Sequence, residues 1–243
     1  MNSSNETPVR TSDSDRVLVI MAKAPRAGKV KTRLTPSISP EAVSAFYCCL
    51  LEDTLALARS LKDVEVAIVC PEGDVTELAQ LAGQEAIVVA QKGEGLAAGL
   101  TSTFAYFLEG HRRRTIAFNS DSPHLPLSVL EGAFEMLSSH DLVVGPTEDG
   151  GYYLVGAKAF HPTLFARDGM GTSNALERLL SRARTLGLSV GSAAPFYDID
   201  LADDLARLAE ELRLAPTRAP RTAEWLRERV LVAAKSQTGT EEL

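Results

Sequence analysis

Four short segments of this chain carry residues that could do chemistry. Residues 22–34, AKAPRAGKVKTRL, gather three lysines and two arginines in thirteen positions, directly after the apolar run VLVIM. Pro25 and Gly28 let the backbone bend back, while Lys23, Arg26, Lys29, Lys31 and Arg33 offer positive charge. That combination suits a polyphosphate, with lysine as a mobile point charge and arginine as a fork. No Gly-Lys-Ser/Thr closes the segment, so it is not a Walker loop. A solvated basic loop is the structural alternative. Asp121 follows the apolar run TIAF, and Pro123 stops that strand from continuing. A carboxylate there can reach a hard cation such as Mg²⁺, which takes one or two carboxylates plus phosphate oxygens and water. It could equally serve as a helix N-cap or an Asx turn. In YDID, residues 197–200, Asp198 and Asp200 share one face of an expected strand. Either could complete a metal site with Asp121, or cap the helix that follows. Glu148 and Asp149 stand beside Gly150 and Gly151, a turn through which backbone could approach a ligand closely. Cations for phosphate, and acids for the metal that bridges it, make one consistent site.

Other catalytic devices are missing from the sequence. His111, His124, His140 and His161 are scattered without an i, i+4 pair, so there is no zinc pattern, and His124 is the one site candidate among them. There is no G-x-S-x-G elbow and no Ser/His/Asp set in context. Across 243 residues, 32 acids against 25 bases give a net charge of −7, which argues against a nucleic-acid partner. Hydrophobic residues, at 45%, suffice for a sizeable core. No apolar stretch reaches the roughly 18 residues of a membrane span. Residues 1–15 are polar and lack an apolar h-region, so a disordered leader is expected rather than a signal peptide. Residues 235–243 read as a polar tail. Cys48, Cys49 and Cys70 have no metal spacing and are expected to be reduced core thiols, which places the chain in the cytoplasm.

The elements that must position these groups alternate between strand and helix. Strands are expected at 16–22, 64–70, 86–90 and 114–119, with two more around the 148–151 turn and a strand-like run over 189–200. Helices are expected over 39–61, 73–83, 95–110, 127–139, 172–188, 200–212 and 222–235. Ser39 is the expected cap of the first, with Pro40 at its first position, Asp74 that of the second, and Thr172 or Ser173 that of the fifth. The alternation predicts one α/β domain over 16–234, a doubly wound and mostly parallel sheet in three α/β/α layers. Ligands of such sheets sit beyond the carboxyl ends of the strands. The basic loop, the NSDSP turn and the YDID turn are therefore expected on one edge.

In this order, AKAPRAGKVKTRL, SDSP, GPTEDGGYYLVG and DIDLADDL resemble a bacterial family of GT-A-fold, glycosyltransferase-like proteins of unsettled function. That family is related to 2-phospho-L-lactate guanylyltransferase and, more distantly, to molybdenum-cofactor guanylyltransferase. The resemblance covers residues 16–212 and implies a GT-A-like nucleotide-binding domain that uses a divalent cation, Mg²⁺ or Mn²⁺. It implies a phosphate loop of Ala22, Lys23, Gly28, Lys31 and Arg33, and metal ligands at Asp121 and Asp200. It also implies an acceptor turn of Glu148, Asp149, Gly150 and Gly151. Three stretches depart from the family pattern: Asn119-Ser120-Asp121-Ser122-Pro123, QKGEGLAAGL and Gly171-Thr172-Ser173. They bear on the choice of base and acceptor.

Charge density orders the function classes. Holding three phosphates and expelling pyrophosphate gives several cations an electrostatic task; a nucleotide-diphospho-sugar asks for fewer. Nucleotidyl transfer from a nucleoside triphosphate onto a small phosphate- or phosphonate-bearing acceptor is thus expected, with Lys31, Arg33 and Asp121 as catalytic residues. Sugar transfer from a nucleotide-diphospho-sugar is the alternative, and a nucleotide-binding regulator without catalysis a third. The sequence names neither base, acceptor nor oligomeric state.

Overall fold

The structure is a computed structural model describing residues 14–109, 114–165 and 173–238, with side chains described as far as residue 229. The expected leader up to residue 13, the tail beyond residue 238, His111 and the Gly171-Thr172 part of the later departure lie outside the described residues.

The apolar, β-branched runs form strands buried on both faces, as parallel strands between helical layers must be. The strands are β1 (Arg16–Met21), β2 (Glu65–Cys70), β3 (Ile87–Ala90), β4 (Arg114–Asn119), β5 (Leu142–Pro146), β6 (Tyr152–Ala157) and β7 (Val190–Ser192). They make one seven-stranded sheet in the order β3-β2-β1-β4-β6-β5-β7, with β1 in its interior. All pairings are parallel except those of β6, which runs antiparallel to both β4 and β5. The short 147–151 turn explains this, because a connection of that length can only return antiparallel.

Among the described residues, seven α-helices cover the sheet: α1 (Pro40–Arg59), α2 (Val75–Ala82), α3 (Gly95–Leu108), α4 (Leu127–Ser139), α5 (Ala175–Thr185), α6 (Ala202–Leu214) and α7 (Pro220–Thr238). Leu18 and Ile20 of β1 face the layer built from α1, α2, α4, α6 and α7. Val17 and Val19 face α3 through Phe107, and α3 and α5 pack together on that second side. The doubly wound, mostly parallel architecture expected from the alternation is therefore present. Among the described residues no helix is long and apolar enough to cross a membrane.

Register brings the chemistry-bearing turns together. Met21 lies opposite both Val69 and Asn119, so β1, β2 and β4 end at one level. The antiparallel β6 begins at that level, and a bridge between Thr147 and Phe196 carries the 198–200 segment to the same edge.

Several local expectations change. Ser39 caps α1 as expected, its hydroxyl accepting the Ala42 N–H. Asp74 precedes α2, but its carboxylate caps nothing there; it accepts the Ala24 N–H at 3.0 Å and the Arg26 guanidinium at 2.7 Å. Asn174, not Ser173, sits at the start of α5, without a side-chain cap bond. The 189–200 run is strand only over Val190–Ser192. Beyond it Pro195 has no N–H to offer, and single bonds such as Phe196 N–H to Pro146 O hold the chain. Asp198 and Asp200 are thus not on a strand, and the shared-face argument for them fails.

Candidate functional site

Between β1 and α1 the chain makes two tight turns. The first, closed by the Lys29 N–H on the Arg26 carbonyl, places Gly28 at φ 71°, a conformation glycine adopts freely. The second places Lys31 at φ 45°, ψ 41°, left-handed backbone that a lysine rarely adopts. Val30 and Leu34, both buried, pin the loop on either side of it. The result is an ammonium aimed inward: the Lys31 side chain is only 6% exposed.

Lys31 Nζ lies 2.8 Å from a carboxylate oxygen of Asp121 and 2.8 Å from one of Asp200. Arg33 reaches the other Asp200 oxygen at 3.3 Å from the solvent side, 69% exposed. Three segments far apart in sequence thus meet at one point. Burial alone would lower the Lys31 pKa, but the Asp121 and Asp200 carboxylates reverse this and raise it. Asp200 is likewise penalised by burial, yet Lys31 and then Arg33 hold its carboxyl below the usual range.

Neither aspartate caps a helix. The α4 helix begins at Leu127 with Pro126 before it, so Asp121 caps no helix. Asp204 accepts the backbone N–H groups of Asp200 and Leu201 at 2.9 and 2.7 Å, which leaves the Asp200 carboxylate to Lys31 and Arg33. Asp198 points elsewhere and accepts from Asn119 Nδ2 at 2.7 Å. Burial, with the nearby Asp121 charge, pushes its carboxyl up to about 7.

Beside this cluster lies a cleft of about 910 Å³, within the range of nucleotide-sized ligand sites. Ala22, Lys23, Lys31, Arg33, Asp121 and Asp200 line it; Gly28 does not. Arg26, counted among the loop's phosphate cations, is turned away and paired with Asp74 and Glu77. One wall residue, Tyr47, was not singled out by the sequence. Tyr47 is buried, its hydroxyl bonded to Ser120 Oγ at 2.9 Å and accepting the Lys23 N–H at 3.2 Å, so it ties the basic loop to the β4 turn. Burial, then Asp121, pushes its phenol up to about 12. Lys29, and Gln91 with Gly93–Leu96 from the QKGEGLAAGL stretch after β3, also line the cleft.

The 148–151 turn behaves differently. Glu148 is gripped by Arg207 at 2.8 and 3.2 Å on the surface. Asp149 accepts from Thr147 Oγ1 and, at 3.1 Å, from the Gly151 N–H, as a turn carboxylate does. Gly150, at φ 89°, is a close-approach position, but to this chain's own backbone: a Cβ there would lie 2.1 Å from Ser173 O. None of the four lines the cleft.

Among the described residues, no three His, Cys, Asp or Glu side chains converge on a metal position. Two carboxylates do converge on one cation, the Lys31 ammonium, and a carboxylate pair fits the hard Mg²⁺ that completes its shell with phosphate oxygens and water.

Comparison with known proteins bears out the resemblance read in the motifs. Residues 54–172 match the bacterial family described as "Uncharacterized protein conserved in bacteria (DUF2064)". No curated protein matches the chain. A crystal structure from Desulfovibrio desulfuricans G20, provisionally assigned as a nucleotide-diphospho-sugar transferase, superposes with a TM-score of 0.82 at 25% identity, covering 91% of this chain and 98% of that one. The inositol-1-phosphate CTP transferase of T. maritima gives 0.56 at 16% identity, covering 81% and 94%. The 4-diphosphocytidyl-2C-methyl-D-erythritol synthase of Anaerococcus prevotii DSM 20548 gives 0.53 at 11% identity, covering 82% and 97%. The fold is that of the nucleotide-diphospho-sugar transferases.

Proposed function

We propose that residues 16–234 form one nucleotide-binding transferase domain, acting in the cytoplasm, which moves a nucleoside monophosphate from a triphosphate onto a small phosphate- or phosphonate-bearing acceptor. The observation that carries the reading is the meeting of Lys31, Arg33, Asp121 and Asp200 at the rim of the cleft, with Lys23 and Lys29 along it. The likeness to the inositol-1-phosphate CTP transferase of T. maritima supports it. An acceptor phosphate oxygen attacks the α-phosphorus in line, the bond from that phosphorus to the bridging oxygen breaks, and pyrophosphate leaves with the electron pair. Such an acceptor is ionised near neutral pH, so no strong general base is required. Lys31 and Arg33 stabilise charge on the transferring and departing phosphates. Asp121 and Asp200 would hold a divalent cation, Mg²⁺ or Mn²⁺, which would supply charge neutralisation and orientation at the phosphates. Tyr47 keeps the basic loop registered on the β4 turn through Ser120.

A second reading, sugar transfer from a nucleotide-diphospho-sugar, is favoured by the provisional assignment of the D. desulfuricans structure. The test is thermal stabilisation by each of the four nucleoside triphosphates with Mg²⁺, followed by a pyrophosphate-release assay against phosphate-bearing acceptors. Release of pyrophosphate supports nucleotidyl transfer. Turnover of nucleotide-sugars alone supports the second reading, and binding without any turnover supports a regulator.

A further inference from the structure

We infer that Lys31 is the resident cation of the Asp121–Asp200 pair: without nucleotide its ammonium holds the seat of the divalent cation, and the metal settles only when phosphates draw Lys31 away. This rests on the reading of that pair as metal ligands.

Geometry carries the inference. The two carboxylates are each 2.8 Å from the same Nζ, so their oxygens converge on a point already filled by positive charge. An ammonium and a divalent cation cannot share that point, because like charges at such range repel strongly. Nor is Lys31 a surface lysine that has swung in. Its side chain is nearly enclosed, and its left-handed backbone is fixed between buried Val30 and Leu34, with the Leu34 N–H on the Lys31 carbonyl at 2.9 Å. Backbone strain of this kind persists where the surroundings over-determine it, and here it serves to aim the ammonium. Arg33, by contrast, is exposed and meets only the outer Asp200 oxygen.

The consequence is an order of binding. Metal alone meets a competent seat only in the fraction of molecules whose Lys31 has left, and its apparent affinity falls by that fraction. Nucleotide phosphates give the ammonium another partner, and by reciprocity metal and nucleotide then strengthen each other equally.

Titration with Mn²⁺ alone, followed by loss of the free-ion paramagnetic resonance signal, tests this on the full chain. Lys31→Met and Lys31→Gln should bind Mn²⁺ roughly tenfold or more tightly than wild type, the scale of removing one competing charge from a partly buried site. Asp121→Asn introduced into either variant should abolish the gain. In parallel melts, Mg²⁺ should stabilise both variants more than wild type, and a variant that is unfolded without metal should regain its circular dichroism when Mg²⁺ is added. Variants that bind Mn²⁺ no tighter than wild type, or that metal does not refold, overturn the inference. Tighter binding through Asp121 in a protein that turns over no nucleotide would sustain it while removing the functional reading.

Discussion

The two halves of the ligand-facing edge use similar residues in opposite ways. On the side of β1 and β4, charged groups point inward: Lys31 is buried against Asp121 and Asp200, and four cations line a cleft. On the side of β5 and β6, they point outward: Glu148 pairs with Arg207, and Asp149 closes its own turn. In the turn after β4, burial disfavours the charged form of a histidine. His124 is fully enclosed against the Phe196 and Tyr197 rings, and neither of its nitrogens has a hydrogen-bond partner. Exposed pairs contribute little, whereas a buried cation needs its partners held in place. The contrast thus separates charge kept for a ligand from charge kept for the surface.

The largest effect is expected at Asp121. Asp121→Asn keeps the size but loses the charge a hard cation requires, so Mg²⁺-dependent nucleotide binding should drop by at least about a hundredfold, beyond the loss typical of outer-shell partners. Calorimetric titration with Mg²⁺ present measures it, and circular dichroism should show the fold intact. Unchanged affinity with a lowered melting temperature would make Asp121 structural.

Next come the loop cations. Lys31→Ala and Arg33→Ala should each weaken triphosphate binding by roughly 1.5–3 kcal/mol, the range of a charge-assisted hydrogen bond. The loss should be smaller for the matching diphosphate, and wild-type affinity should fall as salt rises. Stability separates the two residues. Lys31→Ala leaves two carboxylates facing each other and should cost folding about 1–3 kcal/mol, while Arg33→Ala should cost under about 1 kcal/mol. Equal losses for both nucleotides would favour a nucleotide-sugar donor.

Much of this site was legible in the sequence, and the reasons differ by residue. The strands VLVIM and TIAF announce burial on both faces, and a parallel sheet then forces the turns after them to one edge. Lys31, Arg33 and Asp121 could be placed there by topology, whereas Asp200 follows no strand and reaches the edge through the Thr147–Phe196 bridge. Asp198 against Asp200 could not be decided, because the choice depends on Asp204 capping the next helix and on Asn119 claiming Asp198. Arg26 looked like its neighbours until Asp74, some fifty residues away, took it. Tyr47 looked like one more apolar residue of α1, and nothing local reveals that its hydroxyl meets Ser120. Long-range polar partners, not elements, are what composition and spacing leave out.

His124 offers a smaller effect, visible only in acid. Burial, then Arg218 and Arg207, pushes its pKa down to about 3, against an ordinary value near 6.5. The unfolded chain therefore takes up the proton first. Its contribution is fully present above about pH 6.5 and is lost as pH falls toward 3, by up to about tenfold in the folding constant per pH unit. Glu211 stands 3.9 Å away, too far to hold the ring charged. His124→Phe fills the aromatic pocket without a proton to gain, so denaturant midpoints measured from pH 7 to pH 4 should decline less steeply than in wild type. An equal decline would mean that His124 takes up its proton in the fold as readily as in the unfolded chain.

The smallest effect belongs to the outward pair, and it bears hardest on the comparison. Arg207 forks Glu148 and lies 3.6 Å over the Tyr197 ring, but both side chains are open to solvent, so screening removes most of the pair's value. Glu148→Gln should leave Mg²⁺-nucleotide affinity within about twofold of wild type and move the melting temperature by no more than about 2 °C. Glu148 was nonetheless expected to meet an acceptor, and only acceptor kinetics can return it to that role. If Glu148→Gln raises the KM of a phosphate-bearing acceptor several-fold while nucleotide affinity holds, Arg207 must release it during turnover, and the outward half of the edge is part of the site. If KM is unchanged, the turn is structural and the acceptor is held on the cleft side, which Lys23 and Lys29 line.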